Sequence, residues 1–297
     1  MNRHSTIDDV ELALWADNRT TNFYYSFSFL PREERNAINT IYAFCRRIDD
    51  IVDEPPHDGE SSLQDKQKQL NNWRNAIEII YGGGALHQTL EPLSSVVKRF
   101  NIPKQYLLTV IDGCERDLRQ RRYATFADLK EYCYAVASIV GLISIEIFGY
   151  KHEETKQYAI NLGYALQLTN ILRDVKMDKD RGFIYLPLED LERFRLTESD
   201  IVNEVYDDRF VAFMEFQVGR ARDYYHRARM HLRADERRTM VAAEIMDAIY
   251  HRLLDKIELA DYRVYTKRIA VHTSHKVITA LRIWLGSKLF VKRKRPI

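Results

Sequence analysis

Tyr42, Arg46, Asp49 and Asp53 recur at intervals of four, three and four residues, which places them on one face of a helix. Asp50 lies beside them, and Asp49, Asp50, Asp53 and Glu54 set four carboxylates within six residues. Acidic groups near a helix C-terminus oppose the macrodipole, so such a cluster suggests a cation to bind. A second series, Gly163, Gln167, Asn170, Asp174 and Asp178, repeats at four, three, four and four residues, with Arg173 alongside. Asn170 sits among Leu166, Leu168, Ile171 and Leu172, where an amide needs a polar partner. Taken singly, the first stripe reads equally well as a solvated acidic helix end, and the second as a buried helix–helix hydrogen bond. Two stripes of matching geometry favour a shared task. Carboxylate and amide oxygens without Cys or His select hard cations, and Mg²⁺ typically combines one or two carboxylates with substrate phosphate oxygens. Facing stripes can therefore hold a diphosphate through Mg²⁺, or Mn²⁺ in its place, while Arg46 and Arg173 neutralise remaining charge. A di-iron carboxylate bundle would need two Glu-x-x-His motifs, and the chain offers only Asp223-x-x-His226. Gly82-Gly83-Gly84 lacks the Lys-Ser or Lys-Thr of a phosphate loop, and no dinucleotide glycine fingerprint is present.

The elements that must carry these stripes are helices. Gly and Pro together number 18 in 297 residues, so breakers are few. Helical patterning is expected from Pro31 to Asp53, over 63–80, from Pro103 to about 120, over 126–148 and from 155 to about 175. It resumes over about 207–231, 239–259 and 275–289. Asp180-Arg181-Gly182 and Pro187 mark an irregular connector, and no alternating stretch reads as a strand. No Gly-, Ser- or Pro-rich linker and no fixed-period repeat divides the chain, so 1–297 is read as one all-α domain with a 45% hydrophobic composition sufficient for a core. Forty-five basic against 43 acidic residues give a net charge of +2 and no reason to expect nucleic acid. Cys45, Cys114 and Cys133 form neither a disulfide framework nor a zinc pattern. No apolar leader is visible, and the uncharged stretch 132–145 is too short to span a bilayer. The expected setting is cytoplasmic.

Several segments, in order, resemble the squalene/phytoene synthase family of head-to-head prenyl synthases. They are Phe23-Tyr24-Tyr25-Ser26-Phe27 with Leu30-Pro31, Tyr42-Ala43-Phe44-Cys45-Arg46 running into Asp49-Asp50-Ile51-Val52-Asp53, and Tyr132-Cys133-Tyr134-Ala135-Val136-Ala137-Ser138 with Val140-Gly141. The most specific is Ala165-Leu166-Gln167-Leu168-Thr169-Asn170-Ile171-Leu172-Arg173-Asp174, followed by Asp178 and Ile184-Tyr185-Leu186-Pro187. The likeness covers about 23–268. It implies an isoprenoid-synthase helical bundle around a central cavity, in which two allylic prenyl diphosphates bind through Mg²⁺ and couple via a cyclopropylcarbinyl diphosphate. By that resemblance Asp49, Asp53, Asn170, Asp174 and Asp178 are the metal-binding residues. Tyr42, Arg46, Gln167 and Arg173 lie near the diphosphates, and Tyr132 matches a tyrosine of the rearrangement. Tyr250 and Arg268 match a further diphosphate-contacting pair, with Lys267 an equal alignment for the second. Relatives carry a Ser-rich flap where this chain has Thr20-Thr21-Asn22-Phe23. A dry cavity is required to protect the cation, and Phe23, Phe27, Phe29, Phe44, Val136, Ala137, Val140, Leu142 and Leu166 supply apolar material near the motifs.

Residues 140–150 look most like bacterial presqualene diphosphate synthases of the hopanoid route, which favours farnesyl diphosphate. NADPH enters only if the product is squalene. Phytoene from two geranylgeranyl diphosphates is the alternative. A terpene cyclase, a head-to-tail prenyltransferase, a prenyl diphosphate phosphatase and a non-enzymatic helical interaction protein follow at a distance. The first two share Asp49-Asp50-x-x-Asp53, but Asn170-x-x-x-Asp174-x-x-x-Asp178 disfavours both. Lys288 with Lys292-Arg293-Lys294-Arg295 could touch an anionic membrane surface at its inner face, although the ordinary reading of 290–297 is a solvated basic tail.

Overall fold

The computed structural model describes residues 22–53 and 59–289. Pro55-Pro56, which by sequence would stop the helix begun at Pro31, the segment through Thr21, the side chain of Phe23 and the basic tail lie outside the described residues.

Among the described residues thirteen α-helices follow in order: α1 (Asn22–Phe27), α2 (Arg32–Asp53), α3 (Gly59–Gly82), α4 (Glu91–Arg99), α5 (Lys104–Arg116), α6 (Phe126–Cys133), α7 (Ile139–Phe148), α8 (Glu154–Asp180), α9 (Leu188–Arg193), α10 (Glu198–Val202), α11 (Asp208–Met230), α12 (Val241–Leu259) and α13 (Thr273–Leu289). The bundle is all-α, as the sparse breakers imply. Among the described residues the sole β feature is one isolated parallel bridge, Arg122 with Ile184.

The bundle is organised on α8, which packs against α6, α7, α11 and α12. Along α11 the contact is cross-linked where the Thr169 and Tyr225 hydroxyls share a hydrogen bond of 3.0 Å, both residues being buried. Close approach on the other side depends on glycine. A Cβ on Gly163 would fall 2.5 Å from Ser138 Cα, and one on Gly141 would fall 2.8 Å from the Ala159 carbonyl oxygen. Gly163 thus belongs to the second stripe by register but serves packing.

The expected helix over 126–148 is continuous, yet its middle is a π turn, Tyr134–Ser138, between α6 and α7. Such bulges commonly occur at functional sites. Its start is fixed by a capping box, in which Thr125 and Asp128 exchange side-chain and backbone hydrogen bonds. Taken whole, Phe126–Phe148 is long and apolar enough to cross a membrane by length and composition, which the shorter uncharged stretch 132–145 had not indicated. Its Leu129, Ile139, Leu142, Ile143, Ile145 and Ile147 are instead buried within the bundle. Core packing accounts for this hydropathy.

Replacing Gly163 with alanine should destabilise the protein by about 1–3 kcal/mol, because Ser138 backbone rather than a movable side chain occupies the space. Urea unfolding at matched pH checks this; an unchanged midpoint would show that α8 and the π turn separate without cost.

Candidate active site

The two stripes face a common cavity of about 450 Å³. From α2 come Tyr42, Arg46, Asp49 and Asp53, and from α8 come Gln167, Asn170, Arg173, Asp174 and Asp178. Tyr132, at the end of α6, lines the same space. Arg268 reaches in from the segment after α12, its Nε 3.2 Å from Asp174 Oδ1, whereas no contact of Lys267 with the site is seen. Arg268 thus adds a cation to the second stripe from outside α8. Arg173 also pairs with Asp174, and Arg46 pairs with Asp50 at 2.9 Å.

A second, apolar cavity of about 130 Å³ adjoins the first, and Phe27, Val136, Val140, Ser144, Gln167 and Asn170 line both. Leu162, Leu166, Phe148, Met246 and Tyr250 extend its wall. Tyr250, expected near a diphosphate, lines this chamber and lies near enough to Arg173 to interact with its charge. Of the apolar residues singled out in the sequence, Phe27, Val136, Ala137, Val140 and Leu166 line cavity wall. Phe44 instead packs on Trp73, ring centroids 5.6 Å apart, and Leu142 is core. Phe44 follows Tyr42 by two residues, or about 200° around the helix, so it must face away from the cavity.

Two participants, Asp117 and Arg181, lacked a motif to reveal them, and Tyr185 lay in a quoted segment without an assigned role. Asp117, just beyond α5, accepts hydrogen bonds from Tyr132 (2.8 Å) and Tyr185 (3.1 Å). Tyr132 and Tyr185 stack at 5.3 Å, and Tyr123 and Phe183 extend the aromatic wall. The loop carrying Tyr185 is tied to the loop after α5 by Ile184 N–H donating to Arg121 O and by Arg122 donating to Gly182 O. Arg181, read as part of an irregular connector, donates to Asp53 at 2.5 Å and so links the two stripes. A third aspartate a few residues after Cys114 was the available signal, but nothing local separates it from a surface acid.

Burial raises three carboxyls. Asp49 is pushed up to about 6 by desolvation, with Asp53 adding repulsion and Arg46 opposing it. Asp117 is raised to about 7 by burial despite its two tyrosine donors, and Asp178 to about 7 by burial and Asp174. Asn170 Oδ1 is buried without a hydrogen-bond partner. A buried orphan acceptor is costly. Placed between raised carboxyls, it suits an incoming hard cation. Among the described residues no three acidic, His or Cys side chains converge into a preformed cage. The donors flank the cavity instead, an arrangement suited to metal ions completed by substrate oxygens.

Comparison with known proteins agrees with this geometry. Residues 16–275 match the squalene/phytoene synthase family. The chain is 38% identical over 269 residues to a 15-cis-phytoene synthase of Synechococcus elongatus, covering 86% of this chain and 85% of that one. It is 36% identical to a 15-cis-phytoene synthase of Synechocystis, over 90% and 81% of the two chains. Among solved structures it resembles squalene synthase HpnC from Alicyclobacillus acidocaldarius, with TM-score 0.74 and 26% identity over 86% of this chain and 95% of that one. A dehydrosqualene synthase in complex with ligand gives TM-score 0.75 and 26% identity, over 96% and 97%.

The raised carboxyls set a pH dependence. In the folded protein Asp49, Asp117 and Asp178 hold protons that the unfolded chain releases near 4. Their contribution to stability is therefore complete below about pH 4 and is lost as pH rises through about 6–7. In chelator, the thermal midpoint of Asp49→Asn should fall less than that of the unsubstituted protein over this rise. Added divalent cation should raise the midpoint more at pH 8 than at pH 5.5. Equal metal-induced shifts at both pH values would detach the cation from these carboxyls.

Proposed function

This chain belongs to the squalene/phytoene synthase family and is a transferase of prenyl groups, and from that premise we propose that it condenses two geranylgeranyl diphosphates head to head into phytoene. The observation that carries the head-to-head reaction is the pair of acidic stripes on one cavity, the second bearing the orphan Asn170 acceptor, opening onto an apolar chamber. The C20 substrate is supported by identity of 36–38% across most of both chains to named phytoene synthases.

The family depends on divalent metal, and the oxygen-only donor set of this chain fits Mg²⁺. Asp49 and Asp53 would hold it on one side, and Asn170, Asp174 and Asp178 on the other. Bound there, Mg²⁺ supplies charge neutralisation for a leaving diphosphate. Arg46, Arg173 and Arg268 add fixed positive charge on the same oxygens, preorganised by their carboxylate partners. The apolar chamber takes the hydrocarbon chains and excludes the water that would quench an allylic cation. Tyr132 and Tyr185, both hydrogen-bonded to Asp117, present electron-rich faces where that cation would form.

A second reading, two farnesyl diphosphates to presqualene diphosphate, is favoured by the structural likeness to squalene and dehydrosqualene synthases and by the look of residues 140–150. NADPH would be needed only for onward reduction to squalene.

Offering each diphosphate separately with Mg²⁺ and no reductant should yield phytoene from the C20 substrate. A C30 cyclopropyl diphosphate from the C15 substrate alone would replace the first reading with the second, and coupling of neither would overturn both. Asp49→Asn and Asp174→Asn should each cut turnover at least about a hundredfold, in line with losing a transition-state charge contact, while helical circular dichroism stays unchanged. Wild-type turnover in either variant would remove that residue from the metal site.

A further inference from the structure

The final 35 residues, from Arg263 onward, contain ten Lys or Arg and no Asp or Glu, although the chain as a whole is nearly balanced. Within this stretch α13 shows an exposed apolar line. Val277, Ile278, Leu281 and Leu285 are 38%, 60%, 40% and 51% exposed. At 100° per residue they fall within one arc of about 100°, with Lys288 on the same arc at its C-terminal end and Arg282 and His275 along one border. The opposite face is spent on the protein. Ala280 is buried, Trp284 packs on Phe29 at 5.5 Å, and Lys276 lies over the Tyr25 ring at 5.5 Å. Through these contacts α13 covers α1, whose Phe27 lines both cavities.

We propose that the outer face of α13 docks the protein on an anionic lipid surface, with Val277, Ile278, Leu281 and Leu285 entering the interface and Arg282 and Lys288 engaging the headgroups. The charge decides the occupant. A helix with apolar residues along one line, Lys288 at the end of that line, Arg282 beside it and no acid matches an interfacial helix, and an anionic surface complements it. A large apolar line left to water would otherwise be a liability. The position is apt for a protein that handles long hydrocarbon chains, because the docked helix shares α1 with the cavity wall. The inference does not depend on which prenyl substrate is used.

The test uses the full chain in flotation with vesicles of phosphatidylcholine alone and of phosphatidylcholine with phosphatidylglycerol. Binding should require the anionic lipid and weaken as salt rises. Leu281→Ser with Leu285→Ser should reduce the bound fraction about tenfold, and Arg282→Glu or Lys288→Glu about fivefold or more each, since a basic residue near the surface is worth about 1 kcal/mol. Circular dichroism and turnover with detergent-dispersed substrate should not change in these variants. A chain ending at Leu289 should retain the dependence on Leu281 and Leu285, which separates the helix from the basic tail. Equal binding to both vesicle types, or unchanged binding by the leucine variants, would overturn the proposal. A dimer in light scattering that the leucine variants dissolve would assign the face to a second copy of the chain.

Discussion

Several carboxylates share one poorly solvated cavity, and their burial, with mutual repulsion added, is the constraint that shapes its surroundings. Burial lifts Asp49, Asp117 and Asp178 far above ordinary carboxyl values, so the folded chain works against its own electrostatics there. The arrangement persists because each acid is carried on a helix packed elsewhere. α2 anchors its stripe through Ile38, Ile41, Phe44, Ile48 and Ile51, all buried. Cations complete the balance: Arg181 on Asp53, and Arg173 with Arg268 on Asp174. What remains unanswered is Asn170, whose buried oxygen has no partner. A site strained in this way relaxes when positive charge arrives, which couples ligand binding to proton release.

The same helix organises the apolar half. Leu162 and Leu166 border the small chamber, while Asn170, Asp174 and Asp178 lie further along the same helix. From Leu162 to Asp178 the axis runs about 24 Å at 1.5 Å per residue. Ionic and hydrocarbon environments are thus set in line on one rigid element, and a molecule with a charged head and a long chain meets both at once. Gly163 and Gly141 let the α6–π–α7 run close against this helix, and the π turn brings Val136 and Ala137 to the wall. Polar and apolar chambers therefore depend on the same packing.

Helical periodicity determined a good deal without tertiary information. Residues at spacings of three and four share a face whatever surrounds them, so Tyr42, Arg46, Asp49 and Asp53 could be grouped, as could Gln167, Asn170, Asp174 and Asp178. Scarce glycine and proline made the all-α class legible, and apolar periodicity with breaking residues located the longer helices, while the short α1, α4, α9 and α10 were not expected. The donor atoms alone also carried the expectation of a hard cation.

Only the tertiary structure decided which partners lie across the cavity. Asp117 and Arg181 sit outside any periodic pattern: one β-bridge and two loops bring Asp117 to Tyr185, 68 residues away, and Arg181 meets Asp53 across 128 residues. The choice of Arg268 over Lys267 turned on a single side-chain direction, which no one-dimensional spacing encodes. Phe44 and Leu142 looked like cavity material by composition, yet register turned them into the core. The physical reason is common to all four cases. Local sequence sets which face a residue occupies, whereas contact between faces is set by how helices pack, and that depends on small residues and volumes spread over the whole chain.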